Sequence, residues 1–220
     1  ALTLDPPTNA ESPITVGGLV DVIGVAAGPQ ASCALRAMGA VWCWGDNTSR
    51  QLGARNDDSI EIPWSVPNLS GAVAVTMGSR HSCAVVTGAL ARCWGANEVG
   101  QLGDGTTNAS AGAIRTVANM ASVQAIDAGG DHTCALRTDA TVRCWGLNTS
   151  GQLGNGSTTP AAGVVMPTLT GVAQVTAGGN HACARLTNGT VRCWGANGSG
   201  QLGDGTTTAA SAPVISWRLV

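Results

Sequence analysis

Eight cysteines carry the clearest chemical signal in this chain. They stand at Cys33, Cys43, Cys83, Cys93, Cys134, Cys144, Cys183 and Cys193, ten residues apart within each pair, and the pairs begin 50, 51 and 49 residues apart. An even number at regular spacing reads as disulfides formed in an oxidising compartment, with free buried thiols as the alternative. Zinc sites usually bring two cysteines two to four residues apart, and no such pair occurs here.

Other groups are weaker candidates. His81, His132 and His181 share one repeat position, so they read either as a partial metal ring or as structural histidines bonded to backbone after an Ala-Gly turn. Ala31 takes the fourth place and favours the structural reading. Asp104-Gly105-Thr106-Thr107, Asn155-Gly156-Ser157-Thr158 and Asp204-Gly205-Thr206-Thr207 offer oxygen ligands of the kind calcium takes. With one carboxylate per loop they read better as turns. Seven Asn-x-Ser/Thr sequons occur, at Asn47, Asn68, Asn108, Asn148, Asn155, Asn188 and Asn197, a pattern that turn-rich chains also generate by chance. There is no Gly-x-Ser-x-Gly elbow and no zinc-protease helix motif, and the acidic residues are scattered across unlike repeat positions. The expectation is a non-enzymatic chain with no catalytic residue, no bound metal and no cofactor.

The elements that position these residues come from a repeat. Cys43-Trp44-Gly45, Cys93-Trp94-Gly95, Cys144-Trp145-Gly146 and Cys193-Trp194-Gly195 recur in register, each followed by Gln-Leu-Gly, from Gln51, Gln101, Gln152 and Gln201. A period of about fifty residues must be read before any local assignment. Within it, short β-branched runs separated by glycine-rich segments predict strands, not helices. In the second unit these lie near Val73–Met77, Ser82–Val86, Leu90–Trp94 and Ala113–Val117. In the fourth they lie near Val172–Thr176, Ala182–Leu186, Thr190–Trp194 and Pro213–Trp217.

The middle two strands predict a hairpin. A three-residue loop Thr187-Asn188-Gly189 places Cys183 opposite Cys193, whereas a two-residue loop would turn the two sulfurs to opposite faces. Gly39 fits the same loop in the first unit, but Ala89 and Ala140 occupy its left-handed position in the second and third. In this register Trp44 and Ala34 share the face opposite the cysteines.

Composition narrows the class. Of 220 residues, 44% are hydrophobic and 11% charged, with 31 Gly, seven Trp, no Tyr, no Phe and basic residues that are all Arg. A net charge of −2 and a pI near 5.8 supply no basic stripe for nucleic acid. No apolar run approaches a membrane span. The chain begins Ala1-Leu2-Thr3, which reads as a mature or excised product.

The string Gly-x-x-His-Ser-Cys-Ala-Val followed by Cys-Trp-Gly-x-Asn-x-x-Gly-Gln-Leu-Gly-Asp-Gly-Thr, from Gly78 to Thr106, resembles the regulator of chromosome condensation repeat. Its Cys-Trp-Gly variant is similar to a secreted bacterial branch. The resemblance implies an all-β propeller with one four-stranded antiparallel blade per repeat. The same fold is expected from the need of small sheets to pack on both faces. The nuclear member's nucleotide-exchange residues lie in loops and map onto no motif position here.

We expect one domain over 1–220, with units near 17–66, 67–117, 118–166 and 167–217 and an extra strand near 13–16. Pro13-Ile14-Thr15-Val16 and Pro213-Val214-Ile215 both resemble a fourth strand, giving five candidates for four sheets. A closed four-blade ring, a piece of a longer propeller and a strand donated to a neighbour all remain open, the last two favoured. Function is expected where the repeats differ: Asp46, Arg50, Arg55, Asp57, Asp58, Trp64, Arg80 and Glu98 are the candidate binding surface, while Trp42 and Trp217 also stand outside the repeated Trp position. The resulting expectation is a secreted, periplasmic or cell-surface module that binds a protein or glycan. The alternative is a structural subunit of an extracellular assembly that self-associates by terminal strand exchange.

Overall fold

A computed structural model describes residues 12–53 and 56–216. Its sixteen strands form four separate antiparallel meanders, one per repeat. Blade 1 holds β1 (Val22–Ala27), β2 (Ala31–Arg36), β3 (Val41–Asp46) and β4 (Ser59–Ser65). Blade 2 holds β5 (Ala72–Met77), β6 (His81–Val86), β7 (Leu90–Gly95) and β8 (Arg115–Thr116). Blade 3 holds β9 (Val123–Ala128), β10 (His132–Arg137), β11 (Val142–Gly146) and β12 (Ala161–Val165). Blade 4 holds β13 (Val172–Ala177), β14 (His181–Leu186), β15 (Val191–Gly195) and β16 (Ala210–Ile215).

The hairpin register is the same in all four. Cys33, Cys83, Cys134 and Cys183 sit directly opposite Cys43, Cys93, Cys144 and Cys193. Each pair is bonded across a Cα separation of 4.1 Å. The third loop residue is left-handed whether it is Gly39 and Gly189 or Ala89 and Ala140, the two alanines at φ near +58°. Ala89 and Ala140 hold that conformation while their carbonyls accept the first N–H of the next blade, from Val123 at 2.9 Å and Val172 at 3.0 Å. A tertiary contact thus offsets the strain of a Cβ in the left-handed region.

Two expectations need correction. The strand expected over Ala113–Val117 shrinks to Arg115–Thr116. Ahead of it, Ala111 and Gly112 take positive φ, and Ser110 bonds both the N–H and the carbonyl of Gly95 through its hydroxyl. A side chain therefore does what a strand residue does opposite the corresponding glycine in the other blades. Pro13–Val16 forms no strand. Every sheet already has its four strands, and Ile14, Thr15 and Val16 instead lie across Trp42, Trp44 and Glu61–Pro63.

The core lies between blades. Each of three buried clusters joins the cysteine face of one blade to the indole face of the next: Cys33 and Leu35 with Trp94, Cys83 and Val85 with Trp145, Cys134 and Leu136 with Trp194. Each indole Nε1–H also donates to a carbonyl of the preceding Gln-Leu-Gly turn, Trp94 to Gln51 at 2.8 Å, Trp145 to Gln101 and Trp194 to Gln152 at 2.9 Å. A Cβ on Gly103 or Gly154 would strike the indole of Trp145 or Trp194 at 2.8 Å, so that turn must be glycine. In a stack whose blades meet only their neighbours, the seams set the stability. Trp145→Ala should cost about 3–5 kcal/mol, read as a lower denaturant midpoint. A loss below about 1 kcal/mol would remove the indole from the account.

Candidate functional site

Antiparallel meanders sort the loops by end. In every blade the turn after the first strand and the long loop after the third emerge together, and the tight hairpin loops emerge at the other end. The long loops are pinned from below by one asparagine each. Asn47, Asn97, Asn148 and Asn197 are buried, and their Oδ1 accepts the N–H of Leu52, Leu102, Leu153 and Leu202 at 2.9–3.0 Å. Their Nδ2 donates to loop carbonyls, such as those of Asp57 at 2.8 Å and Asn108 at 2.9 Å. A glutamine within each loop adds a clamp, its Oε1 accepting the N–H two residues back, as from Val99 to Gln101 at 3.1 Å. These organisers were treated in the sequence reading as motif positions or sequons; their recurrence in all four units was the signal that could have identified them. Asn47, Asn148 and Asn197 are too buried to serve as acceptors for a sugar.

On this scaffold the candidate residues form two groups at the long-loop end. In blade 1, Arg50 Nη1 donates to the carbonyls of Asn47 at 3.1 Å and Asp57 at 3.3 Å and pairs with Asp58 at 3.2 Å. Asp46 accepts the Gln51 amide and the Thr48 hydroxyl. Across the next seam, Arg80 lies 3.6 Å from Glu98 in its own blade and 3.3 Å from Asp131 in blade 3. Surface pairs of this kind contribute little to stability but fix the direction in which charge is displayed. Trp64 is not brought to them; it lies in β4 opposite Cys43, 38% exposed. Arg55 and Trp217 lie outside the described residues.

The end as a whole is acidic. Among the described residues, Asp46, Asp57, Asp58, Glu98, Asp104, Asp131 and Asp204 stand at this end against Arg50, Arg80 and Arg115, the last 4.0 Å from Asp104. Asp104 and Asp204 are committed locally: one carboxylate oxygen of each accepts the N–H and hydroxyl of Thr106 or Thr206 at 2.8–2.9 Å. This explains why the Asp204 carboxyl sits below the usual carboxylate range, held there by its Thr206 hydrogen bonds. No group of three or more His, Cys, Asp or Glu side chains is placed to hold a metal ion among the described residues.

At the centre of this end, a hollow of about 320 Å³ is lined by the Gly28, Gly78, Gly129 and Gly178 turns. Backbone bonds cross it from blade to blade, Ser79 N–H to Gly130 and Gly130 N–H to Gly179, each 2.9 Å. Behind the turns lie the histidines. His81 Nε2 is 2.8 Å from the Thr133 hydroxyl of the next blade, so this ring bonds a side chain where a backbone partner was expected. Burial, helped by the neighbouring His132 and Arg80, pushes His81 down to about 3. Burial, helped by His181, pushes His132 down to about 4. Both rings are neutral at pH 7 and serve packing. Lower on the axis, Asp127 ties three inner strands, accepting from the Thr76 and Thr176 hydroxyls, each at 2.9 Å.

The model of the regulator of chromosome condensation (RCC1) repeat matches in two forms, over residues 22–51, 72–101, 123–152 and 172–201 and over 38–85, 93–136 and 139–185. The chain belongs to the RCC1 repeat family. Among curated proteins, no sequence matches this chain. Among solved structures, yeast RCC1 (Prp20) bound to Kap60 is similar with a TM-score of 0.81 at 20% identity, over 90% of this chain and 49% of that one. Human WBSCR16 is similar at 0.82 and 24% identity, over 90% and 53%. Prp20p from Saccharomyces cerevisiae, in a structure reported with its binding properties to Gsp1p and histones, is similar at 0.76 and 20%. These RCC1 likenesses establish the propeller fold, and the chain spans about half the length of each relative.

Proposed function

We propose that this RCC1-type chain is a non-enzymatic protein-binding module whose long-loop end is the contact surface. The observation that carries the reading is the placement of unlike, mostly acidic loops from three blades on one rigid end, each pinned by a buried asparagine. Loops held in place before binding lose little freedom on binding, which favours affinity. Their charge favours a partner with a basic surface. The fold's use in yeast, where RCC1 (Prp20) was solved bound to Kap60, supports a protein over a glycan. Four disulfides support an oxidising location, whether secreted, periplasmic or at the cell surface.

The test is capture of partners from the source cells by the wild-type chain and three variants. Arg80→Glu and the pair Asp57→Arg with Asp58→Arg alter the long-loop end, and Asp139→Arg alters the opposite end. The expected result is a partner kept by wild type and Asp139→Arg and weakened about tenfold or more by the other two. A partner indifferent to the long-loop variants would overturn the assignment.

A further inference from the structure

The three seams within the chain are not equally tied. All three have the indole bond to the long-loop turn. All three also have a backbone bond at the hairpin end, where Ala72, Val123 and Val172 donate to Gly39, Ala89 and Ala140 at 2.9–3.0 Å. The inner edge at the long-loop end differs. Between blades 2 and 3, Ser79 N–H reaches Gly130, the Thr76 hydroxyl donates to Asp127 and His81 Nε2 meets Thr133, all at 2.8–2.9 Å. Between blades 3 and 4, Gly130 N–H reaches Gly179 at 2.9 Å. There Asp127 also accepts the Thr176 hydroxyl at 2.9 Å and the Ala177 N–H at 2.8 Å.

Blade 1 has none of the groups that make these ties. Pro29 stands where Ser79 and Gly130 donate, and proline has no N–H. Ala26 stands where Thr76 and Asp127 bond, and Ala31 where His81 does. Met77 fills the place this leaves. A Cβ on Gly28 would meet Met77, whereas one on Gly78, Gly129 or Gly178 would meet the histidine of its own blade. A thioether packs there without a fixed direction and adapts to small shifts. The inner strands register the difference. Val75 is only half-buried, while Ile126 and Val175, at the same repeat position and against their own preceding blades, are 9% and 7% exposed.

We propose that the inner edge of the seam between blades 1 and 2 is a hinge. It opens about the line joining the Ala72–Gly39 and Trp94–Gln51 bonds while the other two seams stay shut. Opening starts where directional bonds are fewest and buried contact is thinnest. The seam also divides the two groups of loop residues. Arg50 and Asp58 move with blade 1, whereas Arg80 is held to blade 3 by Asp131. Each loop keeps its pinned shape, and only the angle between blade 1 and the following blades changes, which alters the spacing of the two groups. The hinge rests on contacts inside the seam and does not depend on the binding role of the loops.

Methyl relaxation-dispersion NMR on the 220-residue chain, labelled at valine and isoleucine, tests it. Val75, Ile126 and Val175 report the first, second and third seams separately. The first and third seams are both outermost in this chain, so position in the stack does not distinguish them. Val75 should show microsecond-to-millisecond exchange, with Ile126 and Val175 flat. Ala26→Asp with Pro29→Ser returns the missing carboxylate and N–H, and should lower the opened population at Val75 about tenfold. Asp127→Ala, which cuts inner-edge ties of the other two seams, should start exchange at Ile126 and Val175. A flat Val75, equal exchange at Val75 and Val175 in wild type, or exchange indifferent to both sets of substitutions would overturn the hinge.

Discussion

Reduction of the four disulfides should unfold this chain under otherwise native conditions. Each bond closes a hairpin with a sequence separation of ten residues. Closing so short a loop restricts the unfolded chain by about 3 kcal/mol. Four such bonds together contribute on the order of 11 kcal/mol, comparable with the roughly 5–15 kcal/mol that separates folded from unfolded domains. The loss is not only entropic, because every half-cystine but Cys183 is packed in the sheet interior, and three of the four bonds face the indole of the following blade. Melting curves with and without reductant provide the check. A melting temperature unchanged by full reduction, with eight alkylated thiols as proof, would contradict it. Removing only Cys183 and Cys193 should be milder, since that bond is the least buried of the four.

Acid should do nearly as much damage. His81 and His132 ordinarily titrate near 6.5, and burial lowers them to about 3 and about 4. The unfolded chain takes up these protons as the pH falls through 6.5, while the folded chain refuses them until far lower. Their contribution is therefore complete above pH 6.5 and is lost as the pH falls towards 4 and then 3. The slope is about 1.4 kcal/mol per pH unit for each histidine. Urea midpoints measured from pH 7.5 to 4 should fall steeply below 6.5, and His132→Gln should remove about half of that slope. A flat midpoint across this interval would mean that the rings are hydrated or already charged in the fold.

Much of this architecture is legible in the residues. The fifty-residue period, the ten-residue cysteine offset and the Gly or Ala at the third hairpin position lead to blades, to bonded cysteines and to the register that joins them. Alanines 89 and 140 looked like obstacles because local propensity disfavours them there. Their backbone carbonyls turn out to hold the next blade, a benefit that only the stacked structure reveals. The Pro13–Val16 segment misled for the opposite reason: its apolar alternation suits a strand, but no sheet edge was waiting for it.

The candidate surface was less legible. Divergence between repeats singled out Arg50, Asp58, Arg80 and Glu98, and these lie at one end because loops after odd-numbered strands must emerge together. It could not show that Arg80 reaches across a seam to Asp131, nor that Asn97 and its counterparts hold every loop from beneath. Trp64 was picked out because it stands outside the repeated Trp position, and that carries no information about which way an outer strand turns.

Hydrogen exchange on the chain alone and with its captured partner tests the functional reading most directly. Protection gathered in loops 46–53, 78–80 and 96–112, with the hairpin loops at the opposite end unchanged, is the result this account requires. Protection confined to the hairpin end, or to the blade 1 and blade 4 faces, would contradict it.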